Sequence, residues 1–351
     1  MKHIYAFILT AFFSLNIFAQ QAYYNDVDLT LTGVALKEEL ATKIISTHTN
    51  TLSYSWGGVM ATDVNPDDSD SIFLIYGWEA GSDSDCTNDL ERDIDANGGE
   101  SCDYNREHVY AKGLATPSMS NNGPGADAHH LRASDVQRNN TRGSLPFADG
   151  SGNSGKVNGN QNWYPGDEWK GDVARIIMYM YLRYGEQCLP SNVGVGSTAN
   201  TPDQMIDLFL EWNAEDPVVD GGIEDQRNDY VQNASNEYGQ GNRNPFIDDP
   251  YLATLIWGGD AAEDRWGTLS TTDFEITNIK IYPNPANNLL HVDLNTQAET
   301  AIEIYSLLGQ RVIHTTTSHS KTLNIQDLNS GVYILKLTQG TKTISKKLIK
   351  N

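Results

Sequence analysis

Basic residues are scarce in this chain. Its 351 residues include 24 Lys and Arg against 46 Asp and Glu, a formal net charge of −22 at pH 7. The deficit is uneven, because residues 20–277 hold 15 basic and 42 acidic residues while residues 278–351 hold eight basic and four acidic. Such an acidic body excludes capture of a polyanion by overall charge alone. A polyanion site within it would need a local cation cluster or a bound divalent ion.

Long apolar runs are missing, with one exception at the N-terminus. Lys2 and His3 precede a mostly apolar run over residues 4–18, which is too short to span a bilayer, and Ala19 follows as a small residue. We therefore interpret residues 1–19 as a cleaved secretory signal peptide. The alternative is an uncleaved anchor, but the flanking stop-transfer pattern is absent. We expect no membrane span in the mature protein.

Cysteine occurs only at Cys86, Cys102 and Cys188. Export favours disulfide formation. Cys86 and Cys102 enclose a short polar loop with glycines, so they form the better pair, and Cys188 is then a buried free thiol. Sequence alone leaves the other pairings open. Closing a loop of this length would stabilise the fold by about 3 kcal/mol.

Apolar spacing predicts several helices and one buried strand. Leu36, Leu40, Ile44 and Ile45 recur at helical spacing in a segment that ends near Thr47. Further helices are predicted over residues 167–184, 204–212 and 222–233, the first with an apolar core stripe of Val173, Ile176, Ile177, Met180 and Tyr184. The continuous apolar run over residues 71–76 predicts a buried strand.

Residues 105–144 collect chemical groups that suit a hard metal ion and a phosphate. The stretch holds three of the eight histidines, four arginines and an adjacent carboxylate and imidazole, Glu107 and His108. Neighbouring side chains point to opposite faces of a regular strand, so these two can serve one site only at a strand end or a bulge. A loop rich in Gly and Pro over residues 113–125 then lets the chain return.

A short helix follows that loop. Ser134 with Gln137 three residues later forms a capping-box pattern, which predicts a helix from about residue 135 to Arg142 that stops at Gly143. Asn139 and Arg142 are three residues apart and share a face of it. The alternative interpretation is a solvent-exposed helix without a chemical role.

The combined pattern resembles the bacterial endonuclease I family, which comprises secreted or periplasmic nucleases with a ββα-metal (His-Me) finger. The resembling segments, in chain order, are Arg106–Val109, Asp127–Val136, Asn139, Arg142-Gly143, Tyr164–Arg175, Trp212–Val218 and Gln240–Asp248. They span roughly residues 30–257. The resemblance implies an α+β fold in which a ββα-metal finger is surrounded by helices.

The resemblance also implies roles for individual residues. Glu107 and Asn139 would hold a metal ion, with Mg²⁺ expected and Ca²⁺ or Mn²⁺ as alternatives. His108 would be the general base, and Arg142 would lie near the phosphate as a catalytic cation.

Other side chains are expected around this centre. The cation that meets the transition state stays open among Lys112, Arg132, Arg138 and Arg142. Arg243 is a further candidate for substrate binding, with pairing to Asp248 or Asp249 as the alternative. Asp127, His129 and His130 are expected to support the site structurally.

The expected function is a secreted, Mg²⁺-dependent, non-specific endonuclease that acts on DNA, RNA or both and leaves 5′-phosphate products. A neutral histidine can accept the proton of water near neutral pH. None of the candidate groups reads base edges, so sequence specificity should be weak. The alternative is an exported nucleic-acid- or surface-binding protein with an inactive nuclease fold. We expect a monomer.

The tail over residues 278–351 differs in charge and pattern from the body. Short alternating strands separated by Asn, Gly and Ser turns predict a small all-β sandwich. This tail resembles the C-terminal sorting domain of type IX secretion, which implies the type IX machinery as a partner and a secreted or surface-attached location. The alternative is a carbohydrate- or surface-binding β module. The expected catalytic domain is residues 20–258 and the linker is residues 259–277.

Overall fold

The computed structural model describes residues 22–81, 83–267, 280–294, 300–306, 309–339 and 342–351. The predicted signal peptide and most of the predicted linker, residues 268–277, lie outside the described residues. The chain divides into two compact units, Met1–Trp266 and Gly267–Asn351. Within the described ranges, no helix is both long enough and apolar enough to cross a membrane.

Helices provide most of the first unit. They are α1 (Gly33–Thr47), α2 (Trp56–Asp63), α3 (Val136–Arg142), α4 (Lys170–Tyr184), α5 (Pro190–Val193), α6 (Asp207–Glu215), α7 (Ile223–Gln232), α8 (Pro245–Asp248) and α9 (Tyr251–Trp257). The helices predicted over residues 167–184, 204–212 and 222–233 correspond to α4, α6 and α7, with shifts of a few residues at their ends.

The strands of the first unit are short. They are β1 (Val64–Asn65), β2 (Asp68–Phe73), β3 (Glu91–Asp93), β4 (Tyr104–His108), β5 (Leu131–Asp135), β6 (Gly155–Val157) and β7 (Asn162–Tyr164). They form a three-stranded sheet in the order β1-β2-β3 and two antiparallel pairs, β4-β5 and β6-β7.

Helix α4 lies at the centre of the main core. Val173, Ile177 and Met180 are fully buried there, as the apolar stripe predicts. On α1, Leu36, Leu40 and Ile44 are buried too, but the prediction for Ile45 is wrong because 48% of that residue is exposed. Ile45 directly follows Ile44 and therefore points about 100° away from the buried stripe.

Strands β4 and β5 and helix α3 follow one another around the predicted loop. In the antiparallel pair, Glu107 lies opposite Arg132 and His108 opposite Leu131. Helix α3 begins directly after β5, ends at Gly143 as predicted, and packs on both strands. The sequence therefore folds here as strand, loop, strand and helix.

The predicted cap of α3 is wrong by one residue. Asp135 is the N-cap, and its carboxylate accepts a hydrogen bond of 2.9 Å from the amide of Arg138. Gln137 instead reaches the loop closed by the disulfide, where its side chain bonds Ser101 and the amide of Cys102. The predicted Cys86–Cys102 disulfide is confirmed, and Cys188 is a buried free thiol.

The buried strand predicted over residues 71–76 is only partly present. Strand β2 ends at Phe73, and the three residues after it are buried but lie outside the strand. The amide of Ile75 donates to the carbonyl of Ala133 on β5, and Tyr76 follows with a φ of 76°. A left-handed conformation is unusual for a tyrosine, and it turns this segment towards β4.

Residues 259–266 pack on the first unit, although we predicted that the linker begins at residue 259. The Trp266 ring lies 5.0 Å from the ring of Tyr24, and Arg265 pairs with Asp220 and Asp225.

The second unit consists of two antiparallel sheets. Its strands are β8 (Lys280–Tyr282), β9 (Leu289–Asp293), β10 (Thr300–Ser306), β11 (Arg311–Thr317), β12 (Lys321–Asn324), β13 (Gly331–Gln339) and β14 (Lys342–Lys350). The sheet orders are β11-β10-β13-β14 and β12-β9-β8. Both sheets contribute to one buried apolar cluster, which includes Leu290, Ile304 and Leu335. This is the all-β tail that the strand pattern predicts.

Candidate active site

Glu107 and His108 occupy the C-terminal end of β4. Glu107 is buried on the face of the strand that α3 covers, where its Oε1 accepts a hydrogen bond of 2.9 Å from the Tyr76 hydroxyl and lies 3.2 Å from Nη1 of Arg142. Its Oε2 has no side-chain partner in the part of the chain that the structure describes. One carboxylate oxygen is thus fixed by the protein, and the other remains for a ligand.

Asn139 lies across from this carboxylate. Its Nδ2 donates a hydrogen bond of 2.6 Å to Oδ1 of Asn105, which shares a strand face with Glu107. Arg142 lies one helical turn after Asn139, and it also contacts this strand face, through its ion pair with Glu107. Strand and helix therefore bring Asn139 to the strand face that carries Glu107. Because its amide nitrogen is used by Asn105, Asn139 is left with Oδ1 as an acceptor.

His108 is fixed through one ring nitrogen. Its Nε2 lies 2.9 Å from the carbonyl oxygen of Gly125. A carbonyl only accepts, so Nε2 carries the proton and Nδ1 is the basic nitrogen of the neutral ring. Among the described residues, nothing hydrogen-bonds Nδ1. Position 125 requires glycine in this backbone, because a Cβ there would lie 1.8 Å from the carbonyl oxygen of Ser120.

Burial shifts the pKa values of His108 and Glu107. For His108, burial together with the neighbouring charges of His130 and Lys112 lowers the pKa to about 3. The ring is therefore neutral at physiological pH and able to accept a proton. For Glu107, burial raises the pKa, while Arg142 and the Tyr76 hydroxyl oppose that rise.

Arg142 is a buried residue that positions Glu107. It is 1% exposed, donates to the carbonyls of His108 and Val109, and stands over the Phe147 ring. These contacts fix the chain where β4 ends. In this arrangement the guanidinium does not reach solvent, and its contacts are to Glu107, the Phe147 ring and the backbone carbonyls at the end of β4.

Two further arginines predicted to bind substrate are wrongly assigned. Arg132 is 1% exposed and bonds Asp63 and Asp172 at 2.7 and 3.0 Å. Arg243 is 2% exposed and pairs with Asp248 at 2.6 Å, which is the alternative that the sequence left open. A buried guanidinium that is already paired is not available to a phosphate.

Arg138 is half-buried and bonds protein oxygens. Its guanidinium donates to the carbonyls of Thr87 and Ser154 and lies over the Trp78 ring. These contacts tie α3 to neighbouring loops.

Arg106 and Lys112 are cations whose charges lower the pKa of His108. Neither has a carboxylate partner within the described ranges. Lys112 bonds the side-chain oxygen of Asn121, and Arg106 donates to the carbonyl of Tyr54 at 3.4 Å. Two cations without a carboxylate partner in so acidic a body form the local positive charge that phosphate binding needs.

Asp127, His129 and His130 form the buried support behind His108. Asp127 accepts from the hydroxyls of Tyr179 and Tyr184 at 2.8 and 2.7 Å. Burial alone would raise the pKa of Asp127, but the histidines around it and the Tyr184 hydrogen bond outweigh burial and lower it to about 2.

The two adjacent histidines differ in their partners. His129 Nε2 lies 3.2 Å from the carbonyl oxygen of Asn242, whereas neither ring nitrogen of His130 makes a hydrogen bond of ordinary geometry. The His130 ring packs 5.4 Å from that of His108. Burial lowers the pKa of both histidines to about 4.

Three residues of this site were missed from the sequence. Asn105 could have been found, because it precedes Glu107 by two residues and so shares its strand face. Arg106 was visible as a cation beside Glu107. Tyr76 gave no signal, since its role depends on an unusual backbone conformation and a contact 31 residues away.

The donor set fits a hard divalent cation. The two acceptors without side-chain partners are oxygens, Oε2 of Glu107 and Oδ1 of Asn139, and oxygen is the donor that Mg²⁺ prefers. Within the described ranges, no cluster of three or more His, Cys, Asp or Glu residues could hold a metal. A cation here would have two protein ligands and would retain several waters.

Much of this chain is similar to known proteins. Residues 32–251 match the family model of Endonuclease I. The chain belongs to the Endonuclease I family. An extracellular ribonuclease of Bacillus subtilis (strain 168) is 40% identical over 261 residues, covering 69% of this chain and 83% of the relative. An extracellular ribonuclease of Bacillus amyloliquefaciens is 38% identical over 247 residues, covering 68% and 78%.

This member of the Endonuclease I family is thus a hydrolytic nuclease, and its tail marks it for export. Residues 280–351 match the secretion system C-terminal sorting domain, as the tail pattern predicts. A solved DUF3244 family protein from Bacteroides vulgatus ATCC 8482, with an immunoglobulin-like β-sandwich, matches 21% of this chain and 83% of its own at 18% identity. Its TM-score of 0.19 is too low to support an argument.

Proposed function

We propose that this exported nuclease hydrolyses phosphodiester bonds of RNA, and also of DNA, to 5′-phosphate products with a single divalent cation, Mg²⁺ in the first place. The observation that carries the proposal is the end of β4, where Arg142 contacts Glu107 and Asn139 bonds Asn105 on the same strand face, while His108 presents a neutral imidazole fixed by Gly125. The names of the two Bacillus relatives favour RNA as a substrate. We further propose that the protein acts as a monomer.

The residues would divide the work as follows. Nδ1 of His108 accepts the proton of the attacking water while Nε2 stays bonded to the Gly125 carbonyl. Tyr76 and Arg142 hold one oxygen of Glu107, and Asn105 orients the amide of Asn139, so that Oε2 of Glu107 and Oδ1 of Asn139 would be the oxygens that hold the cation. A bound divalent cation would stabilise charge on the phosphate and on the leaving oxygen.

Arg106 and Lys112 would neutralise the incoming phosphate. They supply positive charge on the His108 side of β4, where the net charge of the body would otherwise repel a polyanion. Neither contacts a base edge through this role, so cleavage should depend little on sequence.

Digestion of two substrates tests the proposal. The full chain is incubated with RNA and with plasmid DNA in Mg²⁺, Mn²⁺, Ca²⁺ or EDTA at about pH 8, where a neutral histidine base is available, and the product ends are identified. We expect cleavage of RNA with 5′-phosphate ends and complete inhibition by EDTA. Intact RNA and DNA in Mg²⁺ would overturn the proposal, as would undiminished cleavage in EDTA.

A further inference from the structure

Beside His108, on the strand face away from α3, lies a small set of aromatic rings and one guanidinium. Tyr54 and Trp56 flank the start of α2, and the Cζ of Arg106 stands 3.8 Å from the Tyr54 ring centroid and 4.1 Å from that of Trp56. The Tyr54 ring is stacked on His108, with centroids 5.2 Å apart and planes inclined by 23°. We call Tyr54, Trp56 and Arg106 the aromatic platform.

The rings of the platform are held but not covered. Trp56 packs edge-on against the buried Tyr104, at 6.1 Å and 84°, and both aromatic residues lie against a small apolar cluster apart from the main core. Tyr54 and Trp56 nevertheless remain partly exposed. Within the described ranges the Tyr54 hydroxyl has no hydrogen-bond partner. The platform is thus partly exposed, although Arg106 already lies over one face of each ring, and a base would stack on the ring surface that remains.

Arg106 adds charge to this surface. It lacks a carboxylate partner within the described ranges, and its Nε is buried without a hydrogen bond. Lys112 lies on the same side, 5.7 Å from the centroid of the Tyr54 ring. Aromatic faces combined with cations that are not paired to carboxylates are the chemistry by which proteins hold unpaired nucleotides.

Unpaired bases and duplexes would meet this surface differently. An unpaired base offers a free π face that can stack on an aromatic ring or a guanidinium plane, whereas bases in a duplex are already stacked on each other. Since Tyr54 touches the His108 ring, a base held there belongs to a nucleotide next to the bond that is cleaved.

We propose that Tyr54, Trp56 and Arg106 bind an unpaired nucleobase beside the scissile phosphate, so that the enzyme favours single-stranded RNA or DNA over duplex. This rests on the proposed function, since it places the scissile phosphate at His108. It adds a specificity determinant that the metal ligands and the general base do not supply.

Kinetics on matched strands test the platform. The full chain and its variants are assayed on one labelled oligonucleotide, as single-stranded RNA, single-stranded DNA and duplex DNA. Tyr54→Leu and Trp56→Leu should each raise KM for single strands about 10-fold, the loss expected for one stacking contact, and change KM for duplex less than about 2-fold. Tyr54→Phe keeps the ring and should retain the single-strand preference.

Two further variants separate stacking from charge and from folding. Arg106→Lys keeps the charge but removes the plane, so it should weaken the single-strand preference. Trp78→Leu removes the ring below Arg138, a similar pair outside the platform, and should leave the preference unchanged. Thermal unfolding of each variant identifies any that fail to fold.

Binding without turnover distinguishes failure of the platform from failure of the proposed function. In EDTA, anisotropy of the labelled strands should show tighter binding of single strands by the wild type and loss of that difference in Tyr54→Leu and Trp56→Leu. If the wild type cleaves but these variants affect single strand and duplex equally, or not at all, the platform is overturned. If the wild type binds as expected but cleaves nothing, the proposed function fails, and of the platform only the binding of unpaired bases is upheld.

Discussion

The hydroxyl of Tyr76 donates a 2.9 Å hydrogen bond to Oε1 of Glu107. Tyr76 has a φ of 76°, a conformation that is unfavourable for a non-glycine residue, and it is fully buried. Both side-chain contacts of this carboxylate, from Tyr76 and from Arg142, fall on Oε1, and Oε2 has no side-chain partner among the described residues. A strained residue is thereby used to orient the carboxylate on which the proposed cation site depends.

Removal of this hydroxyl should weaken cation use without unfolding the protein. Tyr76→Phe keeps the ring beside Trp163 but removes one of the two contacts to Glu107 Oε1, and loss of such an outer contact typically lowers metal affinity about 10-fold or more. We expect the Mg²⁺ concentration for half-maximal cleavage to rise by about that factor. Tyr164→Phe, which removes a hydroxyl bonded to Asp167, serves as the control. Equal cation dependence in the two variants would contradict this role for Tyr76.

Arg142 should matter for folding as much as for turnover. Breaking a buried ion pair by removing one partner destabilises by about 3 kcal/mol or more, because Glu107 keeps its charge without a partner. Arg142→Met should therefore unfold at lower urea concentration and lose activity. The double variant Arg142→Met with Glu107→Gln should recover part of the stability but none of the activity. A stable but inactive single variant would instead return Arg142 to a direct catalytic role.

Lys112 should contribute through charge alone. If it contacts a phosphate, Lys112→Ala should reduce the slope of log affinity against log salt by about 1, because one fewer counterion is released. Lys156, an exposed lysine on β6, provides the matched control variant Lys156→Ala. Binding to single-stranded RNA in EDTA, titrated over a range of salt concentrations, measures both. Identical slopes for the wild type and Lys112→Ala would exclude the phosphate contact.

Buried His130 should contribute a loss of stability to the catalytic unit as pH falls from neutral. Burial lowers the pKa of His130 to about 4, from 6.5 in the unfolded chain. Between these two pKa values the unfolded state therefore binds a proton that the folded state does not bind. The free energy of unfolding decreases as pH falls from about 6.5 to about 4, by about 3 kcal/mol for one such group. Asp127, with its pKa of about 2, affects stability only below about pH 4.

His130→Leu isolates this contribution. Neither ring nitrogen of His130 makes a regular hydrogen bond, so an apolar replacement should cost little at neutral pH. Urea unfolding between pH 7.5 and pH 4, in steps of about half a pH unit, should show a shallower loss for His130→Leu than for the wild type. His314→Leu, at an exposed position on β11, should follow the wild type. An equal loss of unfolding free energy in all three proteins would contradict the contribution assigned to His130.

Sequence patterns were most informative where a property is local. The position of Glu107 and His108 at a strand end follows from the alternation of strand faces, and the end of α3 follows from Gly143. The apolar stripe of α4 was also readable, because burial of a helix face has a fixed period.

Patterns failed where a residue meets a distant partner. Arg132 is neutralised by Asp63 and Asp172, which are 69 and 40 residues away in the chain. The sequence around Arg132 does not predict either pairing. The residue types of the site could be read from the sequence, but which cations remain available to substrate depends on tertiary pairing. Arg106 and Lys112 emerge as the available ones only in the folded chain.

The division of labour between His108 and the pair Glu107 and Asn139 is the central claim. Calorimetric titration of Mn²⁺ and Mg²⁺ into the full chain, combined with RNA cleavage, tests it for His108→Ala, Glu107→Gln and Asn139→Ala. All three variants should lose cleavage, but only Glu107→Gln and Asn139→Ala should lose cation affinity, by about 10-fold or more. Cleavage retained in His108→Ala, or cation binding unchanged in both Glu107→Gln and Asn139→Ala, would contradict the account.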